Sequence, residues 1–190
     1  MANSLIPRAT VHAWSEQIGQ QLGEHETSIQ RLLKDQRRLT KFIETYAEQM
    51  GPGTAGVCVY MTGVIARMFE LAGGTLKSAT WEQVRDAERR VLAQLDTLLP
   101  LDEALVDRFH GIARAQAHIL DEAAMVLMQT PSPEGQPEMD PKESLKILIV
   151  SWVVTEVLDA NWRPPAGFAG EASYAYHHIE PKPLPALPAT

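Results

Sequence analysis

From residue 18 to residue 50 the chain repeats one spacing. Ile18, Leu22, His25, Ile29, Leu32, Gln36, Leu39, Ile43, Tyr46 and Met50 follow one another at alternating steps of four and three. That spacing lines up one side of an α-helix, and the two-residue period of a strand does not produce it. It predicts one long helix over residues 11–50 with a heptad seam. Forty helical residues extend about 60 Å, which is long for a compact domain, so part of the helix needs a partner. A break near Gly23 is the alternative. His25 and Gln36 are the polar seam positions. A polar residue there costs stability but fixes register and partner number. The competing reading is a core with two satisfied polar groups.

The remaining signals are also helical. Gly51 and Pro52 stop the first helix, and an apolar second helix is expected over 54–72, ending at Gly73-Gly74. Thr80 with Gln83 makes a capping box for a third helix, whose buried stripe is Trp81, Val84, Val91, Leu95 and Leu98. Pro100 breaks it, and Asp102 caps a fourth. Leu105, Phe109, Ile112, Ile119, Ala123 and Val126 form the inward face of that fourth helix, with Gln116 in the same register. A polar loop with three prolines spans 130–139. Asp140-Pro141-Lys142-Glu143 then places an N-cap, a proline at the first helical position and an acid in the first turn. It opens a fifth helix over about 141–161, although its many Val and Ile residues also suit a strand. Pro164-Pro165 ends the helix, and "EPKPLPALPAT" at the end favours extended polyproline geometry. The expected class is all-α: about five helices in a bundle over residues 1–162, and an extended proline-rich arm over 163–190.

Charge and cysteine usage narrow the function classes. A net charge of −7 makes the chain a poor polyanion binder unless its basic residues cluster. The densest cluster, Lys34, Arg37, Arg38 and Lys41, reads as the solvated face of a helix, so no nucleic-acid partner is expected. One cysteine, Cys58, excludes an intrachain disulfide. No signal peptide is visible, and the apolar runs 57–66 and 147–158 are shorter than the roughly 20 residues of a membrane span. A cytoplasmic location without membrane partners is the expectation.

Residues with chemical potential are scattered. "GPGTAG" (51–56) matches the first half of a nucleotide P-loop, but Val57 and Cys58 stand where that motif needs Lys and Ser or Thr. A turn between helices is the simpler reading, with an anion at the helix N-terminus as the weaker one. Cys58 near a helix start is either a buried small residue or an activated thiol. Asp107, His110, Arg114, His118, Asp121 and Glu122 lie along one side of the fourth helix. On one straight helix His110 and His118 are about 12 Å apart, too far for one metal whose ligands lie about 2 Å away. The stripe therefore reads as a solvated face, and no metal or cofactor is expected. Arg67, Glu70 and Glu156 on apolar helices need partners, and an Arg67–Glu156 ion pair is the expected one. Gly63 and Gly111 inside helices point to close crossings.

Two functions follow as expectations. The first is a non-catalytic assembly or adaptor protein, with a protein partner or a second copy of itself. It oligomerises through Ile18, Leu22, His25, Ile29, Leu32, Gln36 and Leu39. It grips a neighbour with Tyr174, Tyr176, His177, His178, Pro183, Pro185 and Pro188, because a stiff extended segment loses little entropy on docking. The second is a small-ligand or metal-binding enzyme with a polar site between helices two, four and five, formed by Arg67, Glu70, His110, His118 and Glu156.

Overall fold

The structure is a computed structural model that describes residues 3–128 and 139–174; the side chains of Leu22 and Glu24 lie outside the description. Nine helices occur among the described residues, with one short two-stranded ribbon, so the chain is all-α. The helices are α1 (Arg8–Gln20), α2 (Leu22–Asp35), α3 (Arg37–Ala47), α4 (Pro52–Leu71), α5 (Trp81–Leu92), α6 (Leu95–Leu98), α7 (Leu105–His110), α8 (Ala117–Met128) and α9 (Pro141–Asn161). The strands β1 (Thr75–Leu76) and β2 (Trp162–Arg163) pair antiparallel.

The centre is the α4–α9 pair, the two most apolar long helices. Around it, α2 and α3 pack on α4, and α5 and α8 pack on α9. α9 begins as its sequence dictates: Asp140 accepts the Lys142 N–H at 2.8 Å, and Pro141 occupies the first turn. Its Val, Ile and Leu side chains are buried on nearly every side, which a helix tolerates only at the middle of a fold. The Thr80–Gln83 capping box is present in both directions, at 2.9 and 3.2 Å. Gly51 caps α4 and Pro52 enters its first turn, so "GPGTAG" opens a helix. By length and composition α4 meets the requirement for a membrane span, which the shorter run 57–66 does not; half of it is buried.

The expected helix over 11–50 is three helices. It breaks at Gln21 (φ −123°, ψ 37°) and again at Gln36 (φ −100°, ψ 46°). The first break falls two residues before Gly23, close to the alternative expected there, whereas Gln36 has no Gly or Pro beside it and its break carries no local signal. At Gln36 the cause is tertiary: its amide donates to the Lys77 carbonyl at 3.1 Å and accepts from the Ala79 N–H at 3.0 Å. The seam stays in register across both breaks because α1, α2 and α3 each turn that side inward. Ile18, His25, Ile29, Leu32, Gln36 and Leu39 are all buried within the one chain. The remaining member of the expected seam, Leu22, opens α2.

Two glycines matter for close approach. A Cβ on Gly63 of α4 would lie 2.5 Å from Cγ2 of Ile29 on α2, so glycine sets that crossing, as its place inside a helix predicts. Gly74 (φ +83°) leaves a Cβ only 2.1 Å from the Arg163 carbonyl, which lets the ribbon close. Gly111 is different: it caps the end of α7.

Candidate functional site

The expected fourth helix is interrupted, and its interruption builds the polar centre of the molecule. α7 ends at His110, and residues 111–116 turn before α8 starts at Ala117. Gln116 takes a left-handed φ of +42°. Its side chain accepts from Ile6 N–H at 2.8 Å and donates to the Ser4 carbonyl at 3.1 Å and to Asp159 Oδ1 at 2.8 Å. Carbonyls freed by the break need donors. The Arg114 guanidinium supplies them, at 2.5 Å to Phe109 and 2.7 Å to Ile112.

α8 then presents two adjacent acids to the interior. Asp121 accepts from the Arg114 guanidinium and from the Tyr174 hydroxyl at 2.7 Å, with His110 Nε2 at 3.5 Å. Glu122 accepts from Arg8 Nη1 at 2.5 Å and has His12 Nδ1 at 3.1 Å. His118 Nε2 lies 2.6 Å from the Glu171 carboxylate. The Glu171 backbone exchanges two hydrogen bonds with Leu5, at 2.9 and 2.8 Å. Arg8 and Asp121 are 2% and 0% exposed, so two ion pairs are withdrawn from water. Such charges persist in a low-dielectric interior only when paired and further hydrogen-bonded. Arg114 is also stacked between the rings of Phe109 and Tyr174, with its guanidinium carbon 4.3 and 5.2 Å from their centroids.

Two groups of the centre are shifted by their surroundings. Burial pushes the His110 pKa down; Asp121 and Asp107 pull it up, while Arg114 and Arg8 push it further down. Tyr174 is pushed up to about 12, first by burial and then by the Asp121 hydrogen bond, so its hydroxyl remains a donor. The cluster therefore joins the N-terminal segment, the α7–α8 turn, α8 and residues 171–174 into one clamp.

Glu122 also faces an open space. Between α1, α4 and α8 lies a cavity of about 210 Å³. Tyr60, Met61, Val64, Ile65 and Met68 of α4, Ile119, Ala123 and Val126 of α8, and Ser15 and Gly19 of α1 form the rest of its wall. A Cβ on Gly19 would stand 4.0 Å from the Tyr60 hydroxyl, an ordinary contact. Among the residues that line it, only Glu122, Ser15 and Tyr60 carry polar side-chain groups.

The expected polar site falls in three places. Glu70 takes both Arg67 and Arg31, and Arg67 Nε donates to His25 Nδ1 at 3.2 Å. Glu156 accepts from Ala115 N–H at 2.9 Å and Trp152 Nε1 at 3.3 Å, with Arg90 at 3.6 Å. The Arg67–Glu156 pair does not form, because each group is satisfied elsewhere. His110 lies beside Asp121 and the His118 ring beside that of Tyr174, whose hydroxyl donates to Asp121, so the two histidines border the same cluster. The stripe expected on a solvated face is instead buried from His118 to Glu122. Among the described residues no group of three His, Cys, Asp or Glu side chains could hold a metal. Burial pushes the Cys58 thiol up to about 11, which removes it as a nucleophile near pH 7. Tyr174 is spent on its own chain; Tyr176, His177, His178, Pro183, Pro185 and Pro188 lie outside the described residues.

Sequence reasoning passed over Arg8, His12, Tyr60 and Gly19. One signal was present: Asp121-Glu122 sits between Ile119-Leu120 and Ala123-Ala124, an acidic pair inside an apolar run. The fold and this centre define an all-α protein with a buried ionic clamp beside an apolar cavity. Comparison with models of known protein families, with curated proteins and with solved structures finds no match to the chain.

Proposed function

We propose that this chain is a small-ligand-binding helical bundle, acting by binding and not by catalysis. Its ligand occupies the cavity between α1, α4 and α8. The observation that carries the reading is the cavity: about 210 Å³, walled mostly by apolar residues, with the buried acidic residue Glu122 among them. Apolar cavities of about 150 Å³ already hold a benzene-sized molecule, and sites between the helices of bundles are common. The clamp supports the reading because Arg8 and His12 hold Glu122 in place. NMR titration of the labelled protein with naphthalene and related ring compounds tests it. Saturable shifts at Met61, Val64 and Ala123, abolished by Ala123→Phe, are expected; their absence would overturn the reading.

A second reading keeps the assembly or adaptor role and moves its contact from the seam to the C-terminal arm. It is supported by how residues 171–174 dock: one backbone bridge to Leu5 and side-chain contacts to α8, which a neighbouring copy can supply equally well by exchange. Light scattering on the full chain and on a chain ending at Trp162 tests it. A full-length oligomer that loses subunits on shortening supports exchange, and a monomer in both removes it.

A further inference from the structure

Glu122 gives the cavity a chemical preference. Glu122 is 6% exposed, and it is the one acidic residue that lines the cavity. An ionised carboxylate offers about four acceptor positions. Arg8 Nη1 takes one at Oε2, and His12 Nδ1 lies 3.1 Å from Oε1 and 3.3 Å from Oε2. Capacity for a further donor remains. An anionic ligand would meet a like charge with little water to screen it. A cationic ligand would meet a carboxylate already balanced by Arg8, and would bring a second positive charge beside that buried guanidinium. Neither ion recovers the cost of leaving water. A neutral donor meets neither penalty. The opposite wall carries Met61 and Met68, whose thioethers favour the edges of aromatic rings, and a volume of about 210 Å³ exceeds what a single ring needs.

On the binding reading above, we infer that the cavity takes a neutral aromatic molecule of one or two fused rings carrying one hydrogen-bond donor, which it gives to Glu122. The test compares four probes of one shape by calorimetry on the full chain: 2-naphthol, naphthalene, 2-naphthoate and 2-naphthylmethylammonium. 2-Naphthol binds at least tenfold tighter than each of the other three. Equal affinity for 2-naphthol and naphthalene, or tighter binding of either ion, overturns the donor assignment while leaving a binding cavity. No saturable binding by any probe overturns the binding reading and this inference together. Replacing both members of the ion pair, Arg8→Met with Glu122→Met, removes the acceptor without stranding a charge. The tenfold preference then disappears while naphthalene still binds, and a preference that survives overturns the role of Glu122. Should the double variant fail to fold, the four probes on the unaltered chain decide.

Discussion

Arg8 is a long cationic side chain held almost entirely out of water, 114 residues away in sequence from the carboxylate that balances it. Nothing local announces it, because one arginine near the start of a chain has no period. Removing it alone strands Glu122. Arg8→Ala is expected to cost about 3–5 kcal/mol of unfolding free energy, measured by urea denaturation. The Arg8→Met, Glu122→Met pair is expected to recover most of that loss, since apolar replacement of a whole buried ion pair is often neutral.

Asp159 behaves in the opposite sense. Burial raises its pKa; hydrogen bonds from Gln116 and Asn3 lower it, and the Glu156 charge raises it. A carboxyl whose folded pKa lies above its unfolded value of about 3.9 costs stability once pH rises through the folded value, and costs nothing below the unfolded one. Both of its side-chain hydrogen bonds fall on Oδ1, at 2.8 and 3.3 Å, and an asparagine oxygen keeps them. Asp159→Asn is therefore expected to stabilise the protein at pH 7, and the gain to vanish below about pH 4. Denaturation at the two pH values checks the sign.

At the scale of elements, periodicity located most of the inward positions, although Trp81 and Val126, expected inward, are exposed; it did not locate where helices stop. Both ends of α4 and α9 and the start of α5 were legible because glycine, proline and capping residues mark them, but the third helix expected to run to Pro100 stops at Leu92, and α6 (Leu95–Leu98) follows it. The breaks at Gln36 and Gln116 were not legible, because their partners are Lys77 and Ala79 in one case, and Ser4, Ile6 and Asp159 in the other. Gln36→Leu keeps the volume and removes both hydrogen bonds. It is expected to cost about 1–3 kcal/mol, the desolvation of the backbone groups left unpaired. The α2–α4 crossing has a separate test. Gly63→Ala drives a methyl against Ile29 and is expected to cost about 1–3 kcal/mol, although alanine is the better helix former. Ile29→Ala in the same chain removes the colliding atom, so thermal unfolding of the double variant should show less than the sum of the two single losses.

At the scale of the molecule, composition and helix signals gave the all-α class and the two central helices, while the site stayed hidden. Its walls come from α1, α4 and α8, and its clamp from both ends of the described chain. No window of sequence contains such a site. Residues 163–174 return across the molecule: the Phe168 ring meets Trp162 at 5.2 Å, Glu171 bridges Leu5, and Tyr174 reaches Asp121. A chain ending at Trp162 loses all three contacts, and it leaves His118 without Glu171 and Arg114 without its outer ring. The loss should be local. α4 and α9 pack on each other and on α2, α3, α5 and α8, independently of this segment. Hydrogen exchange on the shortened chain is therefore expected to show reduced protection in α8 and the first turns of α1, with α4 and α9 keeping most of theirs. Uniform loss throughout would mean that the clamp and the central helices form one cooperative unit. In that case the cavity between α1, α4 and α8 cannot open without unfolding the protein. Local loss would leave a route for a ligand to enter by loosening α1 alone.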